Sequence, residues 1–237
     1  MKVDVINQTI RAMCTEVAAR DRATPDWRSL KEQDLLYEAS VCIIGSQMAF
    51  ELALATADRL HAWSLIGAEH CTNDVAYRRE IVAALSEPVA LEDEGRPVRW
   101  VRPRFKNRIA ALLTSTVVEI YGKARSLHGL LAVAPNAKTA RQELTQVVWG
   151  FGPKQASLFL RRVGYCADLA VLDVHVLDYL RLARGLTIAP ARLGHLSSYE
   201  EVEEKFQEVA AGFGHTVGCV DLATWLTMRV AKRASYL

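Results

Sequence analysis

Apolar residues recur at helical spacing along most of the chain, and no alternating run long enough to indicate a regular strand is present. The most apolar region, 34–60, predicts a buried helix that Gly45-Ser46 interrupts near its middle. Further helices are predicted at 72–85 and 107–121, with another helical stretch to about 133. A capping box at Thr139 and Gln142 predicts the start of the next helix, and another helix is predicted to begin at Pro153. The last three are predicted at 173–184, 199–211 and 218–232. The stretch 91–106, with one glycine and two prolines, predicts a loop. The predicted fold class is all-α.

The segment after Pro153 shows the clearest amphipathic pattern. Proline is favoured in the first turn of a helix, where its missing N–H costs nothing. The apolar positions then follow the spacing i, i+3, i+4 and i+7, at Ala156, Phe159, Leu160 and Val163. Gly164 is predicted to end this helix, and Asp173 to cap the next one.

Composition narrows the class of protein. The 237 residues are 51% hydrophobic and 24% charged, typical of a globular chain, and a net charge of +2 does not by itself indicate a nucleic-acid partner. The five cysteines are widely scattered, so we expect neither a metal site nor another cofactor. The apolar stretch 41–54 is short and contains Glu51, and the N-terminus has no signal-peptide core. We therefore expect no membrane association, and a cytosolic or, in a nucleated cell, nuclear location.

A turn rich in glycine separates the two helices at 140–164. No acidic residue occurs between 144 and 167, whereas Lys154, Arg161 and Arg162 are all basic. Glycines allow close approach to a partner, and the free N–H groups at the following helix start bind anions, so Gly150-Phe151-Gly152 suits a nucleic-acid phosphate. The alternative is a helix–helix corner in which the glycines only permit tight packing.

A second basic segment lies between Glu94 and Glu119, where no acidic residue occurs. It contains six cationic residues, Arg96, Arg99, Arg102, Arg104, Lys106 and Arg108. In a loop these side chains can contact phosphates. The alternative is an ordinary solvated loop.

The longer pattern around the glycine turn is more specific. GFGPKQASLFLRRVGY followed by LAVLDVHVLDYL resembles the helix-hairpin-helix DNA glycosylase superfamily, and within it the compact second-type 8-oxoguanine DNA glycosylases best known from archaea. The resemblance extends in the right order over about residues 35–228. It includes Gln47, the segment RFKNRIA at 104–110, and the closing segments SYEEVEEKFQEVA and DLATW.

This resemblance implies a fold and a division of the chain. We expect a single glycosylase unit over 1–237, with one helical subdomain at about 36–172 that contains the hairpin 140–164. A second helical subdomain would comprise about 1–35 and 173–237. The active-site cleft would lie between the two subdomains.

The resemblance also implies an activity on double-stranded DNA by a monomeric enzyme. Lys154 would be the nucleophile that displaces a damaged base and forms a Schiff base with the sugar, and Asp173 would stabilise the cationic sugar. Strand cleavage by β-elimination would accompany base removal. The phosphate contacts would come from the hairpin and the next helix, at Gly150, Gly152, Lys154, Arg161 and His175. A buried, satisfied histidine is the alternative interpretation of His175.

An extruded base leaves a hole in the stack, which Arg104 and Phe105 are candidates to fill, since both side chains can stack on an orphaned base. Gln47 is a candidate for the base pocket, because an amide both donates and accepts hydrogen bonds.

The chain departs from the family pattern at three places. Arg162 stands where the hairpin often has Asn, Ile109 where Lys is common, and the segment 229–237 replaces a short C-terminus that helps to recognise the oxidised purine. Three hypotheses follow. The first is an 8-oxoguanine glycosylase/lyase, the second is the same chemistry on another lesion or on a modified base such as a modified cytosine in foreign DNA, and the third is a DNA-binding hairpin module without catalysis.

Overall fold

A computed structural model describes residues 3–21, 24–72, 74–92 and 97–234 of the chain. Helices dominate, which confirms the predicted fold class. They are α1 (Val3–Asp21), α2 (Glu32–Ile44), α3 (Phe50–Ala62), α4 (Asp74–Ala84), α5 (Lys106–Tyr121), α6 (Leu127–Val133), α7 (Ala137–Val147), α8 (Pro153–Arg162), α9 (Val174–Arg184), α10 (Leu196–Ala211) and α11 (Val217–Ala234). No helix in these ranges combines the length and apolar character needed to cross a membrane.

A short antiparallel hairpin interrupts the helical pattern. It consists of β1 (Val89–Leu91) and β2 (Arg99–Val101), with Val89 opposite Val101 and Ala90 opposite Trp100. The prediction of a loop throughout 91–106 was therefore wrong for β2. Strands of three residues are too short for alternation to stand out against the surrounding sequence.

The chain folds as two compact units. One, the terminal unit, comprises Met1–Asp26 and Gly152–Leu237, and the other, the central unit, comprises Trp27–Phe151. The segment 152–172, which we expected in the same subdomain as the central helices, thus lies in the terminal unit together with Asp173.

The core of the terminal unit forms where α1, α9, α10 and α11 pack together. Along α1, apolar side chains recur at intervals of three or four residues and all are buried, at Ile6, Ile10, Cys14 and Val17. Across the core lie the buried side chains of the later helices, among them Val176, Tyr179, Phe206 and Val220. The two ends of the chain are therefore joined in one hydrophobic core.

The central unit shows the predicted helix break. Helix α2 ends at Ile44, and a single 3-10 turn, Gly45–Gln47, leads to α3. Glu32 at the start of α2 accepts hydrogen bonds from the backbone N–H groups of Leu127 (2.6 Å) and His128 (3.0 Å). A carboxylate at this place accepts hydrogen bonds from the free N–H groups at the start of α6 and interacts favourably with the positive end of the helix dipole.

Helix α7 begins three residues earlier than predicted. Its N-cap is Asn136, whose side-chain oxygen accepts a hydrogen bond from the N–H of Thr139 at 2.9 Å. The predicted capping box at Thr139 and Gln142 was wrong, because Asn136 is an equally good cap and lies at the end of a stretch that is not helical.

Candidate active site

The glycine turn between α7 and α8 contains two glycines with different roles. The N–H of Trp149 donates to the hydroxyl of Thr116 at 3.0 Å, which anchors the turn on α5. Gly150 has a φ of +95°, and a Cβ there would lie 3.0 Å from Leu112. Gly152 has a φ of −101°, and a Cβ there would meet nothing within 4 Å. The fold thus requires glycine at 150 but not at 152, and the open space at 152 permits close approach by a partner.

Helix α8 presents Lys154 in its first turn. Pro153 is the first helical residue, as predicted, and the apolar stripe of Ala156, Phe159, Leu160 and Val163 is fully buried. Gly164 ends the helix with a φ of +71°, and a Cβ there would lie 2.0 Å from the carbonyl oxygen of Pro25. Burial of the stripe fixes the rotation of α8 and leaves Lys154 only half-buried.

Asp173 is the N-cap of α9, which confirms the predicted cap. Its Oδ1 accepts hydrogen bonds from the backbone N–H groups of His175 (2.8 Å) and Val176 (3.0 Å). The carboxyl group is half-buried, and its other oxygen takes part in neither of these bonds. The cap therefore orients the carboxylate while one oxygen can serve another purpose.

Three buried side chains hold the segment 170–172, which leads into Asp173. The hydroxyl of Tyr199 donates to the carbonyl oxygen of Ala170 (2.7 Å) and accepts from the N–H of Leu172 (3.1 Å). Glu203 accepts from the N–H of Ala170 (2.9 Å), and Asp221 accepts from the N–H of Val171 (3.2 Å). We call Tyr199, Glu203 and Asp221 the anchoring triad. Because all three are buried, these bonds are protected from water and fix the backbone before Asp173.

One face of α8 contacts the anchoring triad. Ser157 hydrogen-bonds to the hydroxyl of Tyr199, and Arg161 pairs with Asp221. Lys154 precedes these residues by three and seven positions, so it lies on the same face of the helix. Lys154 thus lies on the face of α8 that contacts the anchoring triad, and the same triad holds the backbone that leads into Asp173.

The anchoring triad was missed in the sequence analysis. Glu203 lies among the apolar positions Tyr199, Val202 and Phe206 of α10, so it is on the buried face of that helix. An acidic residue at a core position of an amphipathic helix is a signal of a buried hydrogen bond. That signal predicts a partner but not its identity.

The structure corrects the assignment of Arg161 to a DNA phosphate. Its guanidinium group pairs with Asp221 and donates to the carbonyl oxygen of Gly218 at 2.6 Å, and only 14% of its side chain is exposed. A Cβ at Gly218 would lie 2.8 Å from Nε of Arg161, so glycine at 218 makes room for the guanidinium. The charge and the donors of Arg161 are used inside the protein, where they hold α8 against α11.

His175 lies in the first turn of α9, and its partly buried ring is edge-on to Trp225 with 6.2 Å between the ring centres. Burial lowers its pKa, partly opposed by the charge of Asp173 and reinforced by Lys232. Its Nδ1 is buried without a hydrogen-bond partner among the described residues. A phosphate contact by His175 at neutral pH would therefore rest on a hydrogen bond from an uncharged ring.

The two residues predicted to fill the space left by an extruded base lie in the central unit. Arg104 and Phe105 are both exposed, and 53% of the surface of Phe105 is accessible. Phe105 has a φ of +58°, a conformation that bulky side chains rarely adopt. Such strain is concentrated at functional positions. The side chain of Gln47 lies outside the described part of the structure, as do Arg96 and residues 235–237.

The pKa of Asp221 reflects a balance of opposing effects. Burial, with a smaller contribution from the nearby charge of Asp173, raises this pKa from the ordinary value of 3.8 to about 6, and Arg161 opposes the rise. A raised pKa means that the folded protein holds this proton more tightly than the unfolded chain. The contribution of Asp221 to stability is therefore complete below about pH 4 and falls as the pH rises to about 6.

Comparison with known proteins supports one family. Residues 92–215, just over half of the chain, match the family model described as 8-oxoguanine DNA glycosylase. A protein of Saccharolobus islandicus named 8-oxoguanine DNA glycosylase/AP lyase is 35% identical over 124 residues, which are 52% of this chain and 58% of the relative. A relative of the same name from Thermoplasma acidophilum is 35% identical over 95 residues, 40% of this chain and 44% of its own. The match thus spans about half the length of these relatives.

Solved structures show the same fold. The 8-oxoguanine DNA glycosylase of Thermotoga maritima matches with a TM-score of 0.70 at 21% identity, over 94% of this chain and 95% of its own. The 8-oxoguanine glycosylase/lyase of Methanocaldococcus jannaschii, in complex with 15mer DNA containing 8-oxoguanine, matches with a TM-score of 0.70 at 18% identity, over 93% and 95%.

Replacing the arginine that faces Asp221 should change how that carboxyl group titrates. Arg161→Gln removes the charge that favours the ionised form, so we expect the pKa of Asp221 to rise above about 6. Carbon-detected NMR of the aspartate carboxyl groups measures this midpoint. Arg162→Gln, which removes an equal charge one residue away, is the control and should leave it near 6. An unchanged midpoint in Arg161→Gln would contradict the proposed pairing.

Proposed function

Because the chain belongs to the 8-oxoguanine DNA glycosylase family, we propose that it excises 8-oxoguanine from double-stranded DNA as a monomer and then cleaves the strand. The relatives named glycosylase/AP lyase support both steps, and the related fold in complex with 8-oxoguanine DNA supports the substrate. The observation that carries the proposal is the set of buried contacts from Ser157 and Arg161 of α8 to the anchoring triad, which also holds the backbone before Asp173. Lys154 lies on that face of α8, so these contacts support its proposed pairing with Asp173.

The reaction begins when the unprotonated amine of Lys154 attacks C1′ of the extruded nucleotide. A bond forms between Nζ and C1′, the bond from C1′ to the base breaks, and its electron pair leaves with the base, which takes up a proton. Asp173 stabilises the positive charge that develops on the sugar as the base departs. The sugar ring then opens to a Schiff base with Lys154, and loss of the proton at C2′ expels the 3′ phosphate.

Asp173 is suited to this role because its position is fixed before the substrate binds. Backbone bonds on the preceding residues and the cap of α9 on the following residues hold it from both sides. A charge that does not need to reorient during the reaction stabilises the transition state more than a mobile one.

The DNA contacts use both glycines of the turn and the basic segment after β2. Backbone N–H groups at the start of α8 donate hydrogen bonds to a phosphate close to Gly152, and His175 donates a hydrogen bond to a neighbouring phosphate. Arg104 and Phe105 fill the space that the extruded nucleotide leaves.

Lys154→Gln keeps a polar side chain of similar length but removes the nucleophile. On a duplex with a single 8-oxoguanine, the wild-type protein should release the base and be trapped on the DNA by borohydride. The variant should give no adduct, and its rate of base release should fall by at least about 10³-fold. Gel electrophoresis of the trapped complex and of the cleaved strand measures both.

A matched lysine variant and duplexes with other bases serve as controls for that experiment. Lys138→Gln, an exposed lysine of α7, should be trapped like the wild type. Trapping by Lys154→Gln would show that another amine is the nucleophile. Release of a modified cytosine but not of 8-oxoguanine would keep the chemistry and contradict the substrate, whereas no adduct on any lesion or abasic duplex would favour a module that only binds DNA.

Asp173→Asn separates the charge of this residue from its role as a cap. Asn caps a helix about as well as Asp, so we expect the free energy of unfolding to change by less than about 0.5 kcal/mol. The rate of base release should fall about 10²- to 10³-fold, because the sugar cation loses its counter-charge. Single-turnover kinetics and urea unfolding measure the two effects. A normal rate with a large loss of stability would mean that Asp173 is a structural cap.

The two glycines of the turn should respond differently to alanine. Gly152→Ala meets no clash and keeps an accessible φ, so stability should be unchanged or slightly higher, while affinity for duplex DNA should fall about tenfold, or about 1.4 kcal/mol. Gly150→Ala should cost at least about 1 kcal/mol of stability, because φ is positive there. Fluorescence anisotropy and urea unfolding test this. Unchanged DNA affinity in Gly152→Ala would exclude close approach at that glycine.

A further inference from the structure

The β1–β2 hairpin of the central unit has one buried and one exposed face. Val89 and Val101 lie opposite each other, and Val89 is 2% exposed, so this pair faces the interior. Because successive residues of a strand point to opposite faces, Trp100 lies on the other face of the hairpin, opposite Ala90. It is 68% exposed, more than any other aromatic side chain in the described residues. An exposed tryptophan leaves a large aromatic face available for stacking, and its surroundings show which partner this face suits.

The charges around Trp100 define that partner. Five cationic residues lie close to Trp100 along the chain, one before it and four after it, and all are exposed: Arg99, Arg102, Arg104, Lys106 and Arg108. The nearest described acidic residues along the chain are Glu92 and Glu119, and Glu119 is paired with Lys123 and Arg125. An aromatic plane among cations matches a nucleic-acid strand, whose bases stack on the ring while its phosphates contact the cations.

A second copy of the chain is a poorer match for this surface. A two-fold dimer brings the same patch of each copy together, so the five cations would face five more. A polyanion such as DNA would instead attract the same five cations.

Trp100 also lies near the proposed wedge. It precedes Phe105 by five residues, a span of at most about 18 Å of extended chain. Lys106 donates to the hydroxyl of Ser86 at 2.9 Å, and β1 begins three residues after Ser86, so the hairpin and the start of α5 are held side by side.

We propose that the exposed face of this hairpin is a second DNA contact, in which Trp100 stacks on an unpaired base beside the extruded nucleotide and Arg102 binds an adjacent phosphate. This inference rests on the proposed function and extends it. Phe105 occupies the space left by the extruded nucleotide, and Trp100 holds the strand that the opening has unstacked.

The test compares the affinity of Trp100 variants for three fluorescent probes by anisotropy. The probes are a fully paired duplex, the same duplex with a tetrahydrofuran abasic analogue, and one with an additional unpaired base beside the analogue. Trp100→Ala should bind the abasic duplexes roughly tenfold more weakly, within the range expected for loss of one stacked base, and the paired duplex nearly as well as the wild type. Trp100→Phe should recover most of the affinity.

Two further variants test whether the effect depends on the position of the tryptophan and whether it is distinct from that of a nearby charge. Trp63, 54% exposed at the end of α3, lies outside the basic segment, so Trp63→Ala should bind every probe like the wild type. Trp100→Ala should leave the slope of log affinity against log salt unchanged, whereas Arg102→Gln should reduce it by about 1. Because Trp100 is exposed, its variants should unfold at the wild-type temperature.

Several results would overturn the inference. The first is that Trp100→Ala binds the abasic duplexes as tightly as the wild type. The second is a loss of affinity that is equally large for the paired duplex or in Trp63→Ala. The third is a change in molecular mass of the Trp100 variants, measured by light scattering, without a change in DNA binding. The abasic analogue cannot react, so binding is measured independently of chemistry. If the wild-type protein binds the abasic duplexes through Trp100 but never excises 8-oxoguanine, only the proposed function is refuted. If it excises 8-oxoguanine while Trp100→Ala binds the abasic duplexes normally, only this inference is refuted.

Discussion

The buried pairing of Asp221 with Arg161 is the interaction on which the site depends most. Moving two opposite charges out of water is costly, and the cost is offset only when the remaining polar atoms find partners as well. Here they do, because Arg161 also donates to the carbonyl oxygen of Gly218 and Asp221 also accepts from the N–H of Val171. The pair thereby connects three segments: the end of α8, the start of α11 and the residues 170–172 before Asp173.

Tyr199 and Glu203 extend this connection from α10. Together with the bond from Val171 to Asp221, their bonds to Ala170 and Leu172 mean that three consecutive residues are held by side chains from two later helices. Losing one partner would leave a buried polar group unsatisfied, which costs more than the bond itself contributes. The arrangement therefore favours a single backbone path into Asp173. A catalytic carboxylate benefits from such rigidity, since misplacement by about 1 Å can cost a large factor in rate.

The central unit differs from the terminal unit in that its proposed functional residues are exposed, not held by buried bonds. Its proposed contacts with DNA lie on a short hairpin and at the start of a helix, where Phe105 adopts a left-handed conformation and Trp100 is exposed to water. Both features oppose the stability of the isolated protein, as strained backbone and exposed aromatic surface do. They are consistent with a surface that completes its contacts only when a partner binds. In the proposed function, the terminal unit provides the chemistry and this exposed surface opens the duplex.

The amino-acid sequence by itself determined the helical class, the break at Gly45, the start of α8 at Pro153 and the cap at Asp173, because periodicity and capping depend on residues within one or two turns. The family resemblance selected Lys154 and Asp173, which spacing alone could not. Tertiary structure decided the role of Arg161, the existence of the anchoring triad and the exposure of Trp100. The partner of Arg161 is 60 residues away along the chain, and whether a charged side chain faces water or a buried carboxylate depends on how distant helices pack, which no local pattern encodes.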